Sequence, residues 1–310
     1  GRQYAGPAAD SFYASPASRF GLQAADPAVN GVASGIKRTS WSDNGGVAAQ
    51  TTSGLAFSEG RHELAYWSMD NVENVEVVRS TTILVDNTPP VSAMRISGTN
   101  NAVNGTAYIN AATAFSLSAV DPAAGGVASG VKASHYEITE AAGGQAVTHN
   151  YLAPFTLQGT DGPKVIRYYS TDNVGNIANP KTAAFTLDAT PPLAGLLCPG
   201  KTDGFCRVYK GTVAVLGEVS DLNFAGYKLD YAAGRAGTVF TSISAGTAAV
   251  SGGLGLWKAP AAGFYTLRLT VSDLAANTTV VSAVVYVGEP AMLLSLGGAE
   301  IFDDPHGVAA

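Results

Sequence analysis

The chain alternates apolar and polar residues in short runs that are bounded by glycine, proline, asparagine and aspartate. The clearest run lies between Gly263 and Asp273, where four apolar residues alternate with polar ones. A period of two places one set of side chains on each face of an extended strand, so this run predicts a half-buried β-strand. Two further runs, 60–70 and 162–172, align with it from a leading glycine. Helix signals are poor throughout, and the pattern therefore predicts an all-β fold.

Three copies of one sequence unit follow one another along the chain. An Asp-Pro dipeptide that leads into Val-Ala-Ser-Gly begins at Asp26 and recurs 95 residues later at Asp121. An Asp-Asn pair and an Asp-x-Thr-Pro-Pro segment recur with an offset of 102 residues. In every copy a glycine precedes a strand-ending aspartate by ten residues; these aspartates are Asp70, Asp172 and Asp273. A period of this length is too long for a solenoid and predicts tandem domains.

The domain boundaries are predicted at two Pro-Pro pairs, Pro89-Pro90 and Pro191-Pro192. Proline fixes φ near about −65° and cannot donate to a strand ladder, so each pair ends a strand and stiffens the linker. Units of about this length suit seven-stranded β-sandwiches, so the prediction is three tandem β-sandwiches followed by a tail. Their ranges are 1–88, 89–190, 191–288 and 289–310. The pattern leaves open whether residues 1–20 complete the first sandwich or whether that sandwich takes a strand from elsewhere.

The composition and charge argue against several classes of partner. Charged residues make up 14% of the chain, the formal net charge is −6, and no basic run occurs. These properties argue against nucleic acids and anionic lipids as electrostatic partners. No segment approaches about 18 consecutive apolar residues, so no membrane-spanning helix is predicted. The chain does not start with a charged-then-apolar pattern, so we expect a mature piece or a fragment whose signal peptide is absent or removed.

Two cysteines lie eight residues apart across a segment that contains glycine and proline. This spacing predicts a small disulfide-closed loop between Cys198 and Cys206, which implies an oxidising compartment. Closing so short a loop stabilises the fold by only about 2–3 kcal/mol. The alternative is a pair of free thiols, because spacing alone does not fix the geometry that a disulfide needs.

Three segments shared by the first two copies carry a specific resemblance. They are Asp-Pro…Val-Ala-Ser-Gly-Ile/Val-Lys, Tyr-x-Ser-x-Asp-Asn-Val-x-Asn and Val/Leu-Asp-x-Thr-Pro-Pro. Through them the chain resembles the bacterial Ig-like modules that occur in tandem in secreted and cell-surface proteins. The third copy resembles a related fibronectin-III-like or Ig-like module in segments 223–229 and 263–273. The resemblance implies three tandem Ig-like β-sandwiches in an elongated array at an extracellular bacterial surface. It leaves the function open because sandwich modules host many roles.

The tail carries a second, shorter resemblance. Its segment 301–309, Ile-Phe-Asp-Asp-Pro-His-Gly-Val-Ala, resembles the opening of an NHL-type β-propeller repeat. The alternative is that the tail acts as a strand donated to a neighbouring molecule.

Acid and amide side chains cluster where the predicted strands end. Hard oxygen ligands on loops between modules suit Ca²⁺, so these residues are candidate calcium ligands. An acid from the neighbouring module could complete each shell and stiffen the linker, and Asp26 and Asp121 are expected near the same strand ends. The alternative is that these side chains cap turns by accepting backbone N–H bonds. The candidate ligands are Asp70, Asn71, Asn74, Asp86, Asp172, Asn173, Asn176 and Asp188.

Two aromatic side chains, Trp67 and Tyr169, fall on the outward parity of their predicted strands. Exposed aromatic faces stack on sugar rings, so both residues are candidates for a glycan-binding surface. The alternative is that they pack in one of the sheets, where aromatic side chains supply much of the buried area.

No catalytic constellation emerges from the sequence. The four histidines form no metal-spaced pair, and no nucleophile elbow, P-loop or dinucleotide fingerprint occurs. The sequence therefore favours a non-enzymatic stalk segment of an extracellular bacterial protein, with surface proteins or further copies of itself as partners. One alternative is a filament or sheath subunit that assembles by strand addition through segment 291–296. Another is an adhesin that binds carbohydrate.

Overall fold

The computed structural model describes residues 3–7, 11–50, 53–140, 146–197, 206–289, 295–296 and 299–300. Within these ranges the regular elements are all β-strands, so the predicted all-β fold of tandem domains is confirmed. In the same ranges there is no helix whose length and apolar character would let it cross a membrane. The three sequence copies are named repeat one (1–88), repeat two (89–190) and repeat three (191–288); the boundaries between them stay a prediction.

The described strands of repeat one are β1 (Gln3–Ala5), β2 (Ser11–Ala14), β3 (Ile36–Asp43), β4 (Gly60–Asp70) and β5 (Arg79–Val85). They form one sheet in the order β1-β2-β5-β4-β3. Strand β2 runs parallel to β5, whereas β4 is antiparallel to both β3 and β5. Because β2 and β5 are parallel, the chain crosses over between them and cannot join them by a hairpin.

The described strands of repeat two are β6 (Val91–Ser97), β7 (Asn101–Val103), β8 (Thr106–Ile109), β9 (Ala114–Val120), β10 (Val131–Glu140), β11 (Val147–Asn150), β12 (Phe155–Thr156), β13 (Gly162–Asp172) and β14 (Lys181–Leu187). One sheet has the order β11-β10-β13-β14-β8-β7, and a second has the order β12-β9-β6. Strand β8 runs parallel to β14, as β2 does to β5 in repeat one.

The described strands of repeat three are β15 (Leu193–Leu197), β16 (Cys206–Tyr209), β17 (Thr212–Ser220), β18 (Phe224–Ala233), β19 (Thr241–Gly246), β20 (Val250–Lys258), β21 (Gly263–Asp273) and β22 (Thr278–Gly288). They form sheets in the orders β15-β17-β20 and β16-β22-β21-β18-β19. In the tail, β23 (Ser295–Leu296) pairs with β24 (Ala299–Glu300). The rest of the tail, including the propeller-like segment, lies outside the described residues.

The period of two predicted for the longest strands is confirmed. In β21 the four alternating apolar residues are all buried. The equivalent faces of β4 and β13 are buried or half-buried in the same register, even where the sequence places a polar side chain there. The buried residues of these three faces are His62, Leu64, Ser68, Lys164, Ile166, Tyr168, Ser170, Tyr265, Leu267, Leu269 and Val271.

The chain divides into two compact units. The first comprises 1–97, 114–156 and 163–184, and the second comprises 98–113, 157–162 and 185–310. In the first unit, Leu64, Ile83 and Val85 belong to one buried cluster. In the second unit, Leu229, Trp257 and Leu269 belong to another. Each unit therefore has an apolar core of its own.

Candidate metal centres at the strand ends

The same turn follows the glycine-initiated strand in every repeat, which is β4, β13 or β21. The strand ends at an aspartate whose carboxylate accepts two bonds from the asparagine four residues later, one from the backbone N–H and one from the side-chain Nδ2. This arrangement holds the turn closed and explains why both residue types recur at that spacing. The pairs are Asp70 with Asn74, Asp172 with Asn176 and Asp273 with Asn277.

Around the second of these turns three carboxylates converge. Asp86, Asp121 and Asp172 each place one oxygen within 4.8 Å of the other two, and we name them the first acid triad. Asp86 and Asp172 have no exposed surface, and Asp121 is half-buried. The three come from different parts of the sequence: Asp86 follows β5, Asp121 follows β9 and Asp172 ends β13. Only the folded chain brings them together.

Backbone and amide donors fix the orientation of Asp86. Its carboxylate accepts a bond from Thr88 N–H at 3.0 Å and another from Ser129 N–H at 2.7 Å. Its main-chain carbonyl accepts a bond from Asn176 Nδ2 at 3.1 Å. Hydrogen bonds to charged groups contribute about 1.5–3 kcal/mol each, so this linker residue is strongly tied to repeat two.

The second acid triad, Asp188, Asp221 and Asp273, repeats this geometry. One oxygen of each carboxylate lies within 4.8 Å of the other two. Asp188 accepts a bond from Asn223 Nδ2 at 2.8 Å, and its main-chain carbonyl accepts a bond from Asn277 Nδ2 at 2.8 Å. Asp188, which occupies the position of Asp86 in the second linker, thus contacts repeat three as Asp86 contacts repeat two.

The threonine of each Asp-x-Thr-Pro-Pro segment anchors the linker on its other side. Thr88 Oγ1 donates to Glu59, and Thr190 Oγ1 donates to Asp161. Each linker is therefore held by its threonine to the repeat that it leaves. The aspartate two residues earlier holds it to the repeat that it enters.

Three acids of the two triads have raised pKa values. Burial raises the pKa of Asp121, and the Asp86 and Asp172 carboxylates raise it further against a hydrogen bond from Gly130 N–H. Burial likewise raises the pKa values of Asp221 and Asp273, with Asp188 adding to both. Like charges that share a buried site disfavour each other's ionised form, so both triads hold more negative charge than the protein compensates.

No lysine, arginine or histidine of the described residues forms an ion pair with either triad. Elsewhere the chain does supply such a partner: buried Asp230 pairs with Arg268 Nη2 at 3.1 Å. Buried charges are normally paired or bound to metals. The triads therefore have the charge pattern of cation sites.

The geometry suits Ca²⁺. A calcium ion lies about 2.3–2.6 Å from its oxygen ligands, so it can bridge oxygens up to about 5 Å apart. In the first triad Asp121 Oδ1 is buried and has no hydrogen-bond partner, which leaves its lone pairs free to bind a cation. Calcium takes six to eight oxygens, so backbone carbonyls or water would complete the shell.

The structure brings together some of the predicted ligands and separates others. Asp86 and Asp172 share the first triad, and Asp188 belongs to the second. Asn176 joins Asp172 to the carbonyl of Asp86 through its amide nitrogen. Asp70 is a member of neither triad.

The remaining predicted asparagines hold turns. Asn71 Nδ2 donates to Ser34 O at 2.7 Å, and Asn173 Nδ2 donates to Ser129 O at 2.8 Å. Asn74 donates to Asp70 and has no bond to a linker residue. The alternative that these side chains stabilise turns therefore describes part of each cluster, while the assignment of calcium ligands stays a prediction.

The sequence analysis missed most of the second triad. Asp273 was in register with Asp70 and Asp172, so its place at a strand end was visible from the glycine ten residues earlier. Asp221 lacks the proline that follows Asp26 and Asp121, and nothing in its local sequence marks it. The spacing from the strand-ending acid was the available signal, since Asp121 precedes Asp172 by 51 residues and Asp221 precedes Asp273 by 52.

The other candidate residues lie elsewhere. Trp67 and Tyr169 are half-buried, and Tyr169 stacks on His135 with ring centroids 5.1 Å apart. Cys206 is buried and disulfide-bonded. Cys198 lies outside the described residues, so the pairing of these two cysteines stays a prediction.

No known family model matches the chain, and no curated protein matches it either. Among solved structures, the tetra-tandem repeat in the extending region of a large adhesion protein is similar at 16% identity and a TM-score of 0.28, covering 83% of this chain and 68% of that one. The fibronectin(III)-like modules of CbhA from Clostridium thermocellum are similar at 11% identity and a TM-score of 0.32, covering 59% and 92%. A 1.5-MDa bacterial ice-binding adhesin is similar at 15% identity and a TM-score of 0.33, covering 81% and 86%. At these TM-scores the similarities carry no argument about what this chain does.

Proposed function

We propose that the chain is a non-enzymatic structural segment of an extracellular bacterial protein in which Ca²⁺ fixes each repeat to the next. The observation that supports this most is the repetition of the acid triad. Two sets of three carboxylates occur at equivalent linkers, and each combines one acid from the preceding repeat with two from the following repeat.

Electrostatics gives the reason for a cation. Three ionised carboxylates within 4.8 Å of one another repel, and a divalent ion removes most of that repulsion. A bound ion would also replace the proton that the raised pKa of Asp121 favours. Calcium would therefore stabilise the conformation in which the linker aspartate lies beside the next repeat.

The linker contacts give the reason for a mechanical role. Asp86 is tied to repeat two by Ser129 N–H and Asn176 Nδ2, while Thr88 ties the same linker to Glu59 of repeat one. Two prolines follow directly and restrict the backbone. A linker held in this way resists bending, which is what a stalk or display segment needs.

One observation and one part of the proposal support an extracellular location. Cys206 is disulfide-bonded, and disulfides persist in oxidising environments outside the cytosol. Extracellular modules commonly use calcium sites of low affinity, about 10⁻⁴–10⁻³ M, because the ion is abundant there. A segment with both features suits a cell surface.

Thermal unfolding of the full chain tests the proposal. Chelator-treated protein should gain thermal stability in millimolar CaCl₂ and should gain much less in the same concentration of MgCl₂, because Mg²⁺ demands a smaller octahedral site. Small-angle scattering on the same samples should show a narrower distribution of distances with calcium. Identical melting and scattering with and without calcium would refute the proposal.

A further inference from the structure

In repeats two and three, one continuous segment supplies both the linker aspartate and an edge strand. After Asp86 the chain runs through Pro89 and Pro90 into β6, which pairs antiparallel with β9 from Val91 to Ser97. After Asp188 it runs in the same way into β15, which pairs antiparallel with β17. The acid and the strand therefore enter each repeat as one unit.

Repeat one has no counterpart of β6 among its described residues. Phe20 corresponds to Phe115 of β9, and it pairs on one side with Leu55 just as Phe115 pairs with Phe155. On the other side, where β6 meets β9, no described strand pairs with residues 21–28. Phe115 is fully buried, whereas Phe20 is only half-buried. Within the described part of the chain, the edge next to Phe20 is therefore open.

Repeat one also has a surface depression of about 400 Å³ beside this edge. Its lining includes Asp26, Ser68, Asp70 and Arg79. Two of these residues correspond, with the offset of 102, to residues of repeat two that contact β6. The depression thus lies where repeat two receives its edge strand.

The contacts in repeat two show how such a depression is filled. Ser92 of β6 donates its hydroxyl to Ser170 Oγ at 2.8 Å, and its carbonyl accepts a bond from Lys181 Nζ at 2.7 Å. The counterparts of these two partners are Ser68 and Arg79, which offer the same hydroxyl and a cationic donor. Repeat one therefore retains the polar groups that recognise a serine of an incoming strand.

Repeat three uses different chemistry at this position. The residue six positions after Asp188 is Ala194, and the counterpart of Ser170 is the buried Val271. An apolar pair there replaces the two serines of repeat two. The depression in repeat one is thus matched to the segment after Asp86 and not to the segment after Asp188.

Exposed apolar side chains mark the remainder of this face. Val32 and Val72 are 73% and 66% exposed. Their counterparts in repeat two, Val127 and Val174, are only 3% and 2% exposed. No described residue accepts a bond from Ser34 N–H, although the equivalent Ser129 N–H donates to Asp86. This face of repeat one therefore corresponds to the covered face of repeat two, but no described residue covers it.

We propose that repeat one binds the end of another β-sandwich module through a segment of the pattern Asp-x-Thr-Pro-Pro followed by a strand with serine six residues after the aspartate. The aspartate accepts the Ser34 N–H and lies beside Asp26 and Asp70. The strand adds antiparallel to the open edge at Phe20, and its serine bonds with Ser68 and Arg79. The incoming module covers Val32 and Val72.

Peptide binding to the full chain tests this proposal. A peptide with the sequence of residues 84–97 should bind once per chain and slow amide hydrogen exchange at residues 21–25. A peptide with the sequence of residues 186–197 is a natural control, since it keeps Asp-x-Thr-Pro-Pro and has alanine at the position of the serine, while Ser92→Ala in the first peptide isolates that single change. We expect at least about tenfold weaker binding for the control. A similar loss is expected for Ser92→Ala in the first peptide and, in millimolar calcium, for Asp86→Asn.

A fused form removes the cost of bimolecular association. The 84–97 sequence joined to the start of the chain by a Gly/Ser linker should protect residues 21–25 from exchange, and Val72→Asp in the chain should abolish that protection. Val72 is exposed, so this variant is expected to fold. Equal binding by both peptides, or no protection in the fused chain, would overturn the proposal. The preference for serine over alanine should persist in calcium-free buffer even where the overall affinity falls, which separates this test from that of the proposed calcium role.

Discussion

The aspartates that end β4 in repeat one and β13 in repeat two form the same local turn but lie in different surroundings. Asp70 and Asp172 both close a turn with the asparagine four residues later. Asp172 is buried beside Asp86 and Asp121, whereas Asp70 lies at an open face with no third acid beside it among the described residues. The turn is thus a property of the local sequence, but the acid triad is a property of the linker that arrives from the preceding repeat.

The pKa values of two strand-ending aspartates, Asp70 and Asp273, are shifted in opposite directions. Burial raises the pKa of Asp70. Hydrogen bonds from the Asn74 side chain and backbone and from Val72 N–H outweigh this effect, so the pKa lies below its usual value. Asp273 has the same asparagine bonds, yet burial and the nearby Asp188 and Asp221 raise its pKa. The neighbouring acids, and not the turn, therefore determine whether the strand-ending aspartate favours a bound cation.

Removing one acid of the first triad should have the largest effect on stability. In calcium, Asp121→Asn should lose the stabilisation supplied by one bound ion, about 2.7 kcal/mol at a free concentration one hundred times the dissociation constant. Without calcium the same variant should melt at a higher temperature than the parent, because it removes one repelling charge and keeps an acceptor for Gly130 N–H. Differential scanning calorimetry measures both effects.

The matched control is Asp26→Asn in repeat one. Asp26 occupies the position of Asp121 and accepts Gly35 N–H, as Asp121 accepts Gly130 N–H. Among the residues that the structure describes, no third acid lies beside it. The calcium-dependent change in melting temperature should therefore be the same as for the parent chain. An equal loss of the calcium response in both variants would contradict the assignment of the triads.

Truncating one valine on the turn should separate the covered face from the open one. Val174→Ala removes two buried methyl groups and should lower the free energy of unfolding by about 1–3 kcal/mol. Val72→Ala changes an exposed side chain and should alter it by no more than about 0.5 kcal/mol. Urea denaturation measures both values, and equal effects would show that the two faces are covered alike.

The raised pKa values predict a pH dependence of the calcium-free chain. An acid with a raised folded pKa binds its proton more tightly in the folded state, so its contribution to stability is lost as pH rises. For Asp121 and Asp221 that loss should begin near the unfolded value of 3.8 and continue through the higher folded value. Melting temperatures across this window should fall more in the parent than in the Asp121→Asn/Asp221→Asn chain. Parallel curves would refute this origin.

The smallest predicted effect concerns the backbone of the turn. Glu73 has φ 72° where the equivalent Gly175 has φ 99°, and this region favours glycine. Glu73→Gly should therefore raise the free energy of unfolding by about 0.5–1 kcal/mol, since the lost ion pair with Lys37 is exposed and contributes little. Gly175→Ala is the reverse control and should destabilise by about as much. Both are measured by urea denaturation.

The sequence predicted the elements that depend on local pattern. The strands ending at Asp70, Asp172 and Asp273 follow from a period of two, and their turns follow from the asparagine spacing. Asp86 was expected to complete a neighbouring cluster because it repeats at the linker. The burial of the triads and the place of Asp221 could not be predicted, because they depend on which loops from distant parts of the chain meet in the fold.

The missing edge strand of repeat one illustrates the same limit. The sequence left open whether residues 1–20 complete that sandwich. Only the pairing of Phe20 with Leu55, and the absence of a described partner on its other side, locates the open edge. An apolar–polar period of two can predict a strand, but it cannot predict how many strands a sheet will contain.

Calcium counting tests the central claim most directly. Isothermal titration of the chelator-treated full chain should give two bound ions, one for each acid triad. Asp121→Asn and Asp221→Asn should each remove one ion, and the double variant should remove both. No bound calcium in the parent, or an unchanged count in the double variant, would contradict the account.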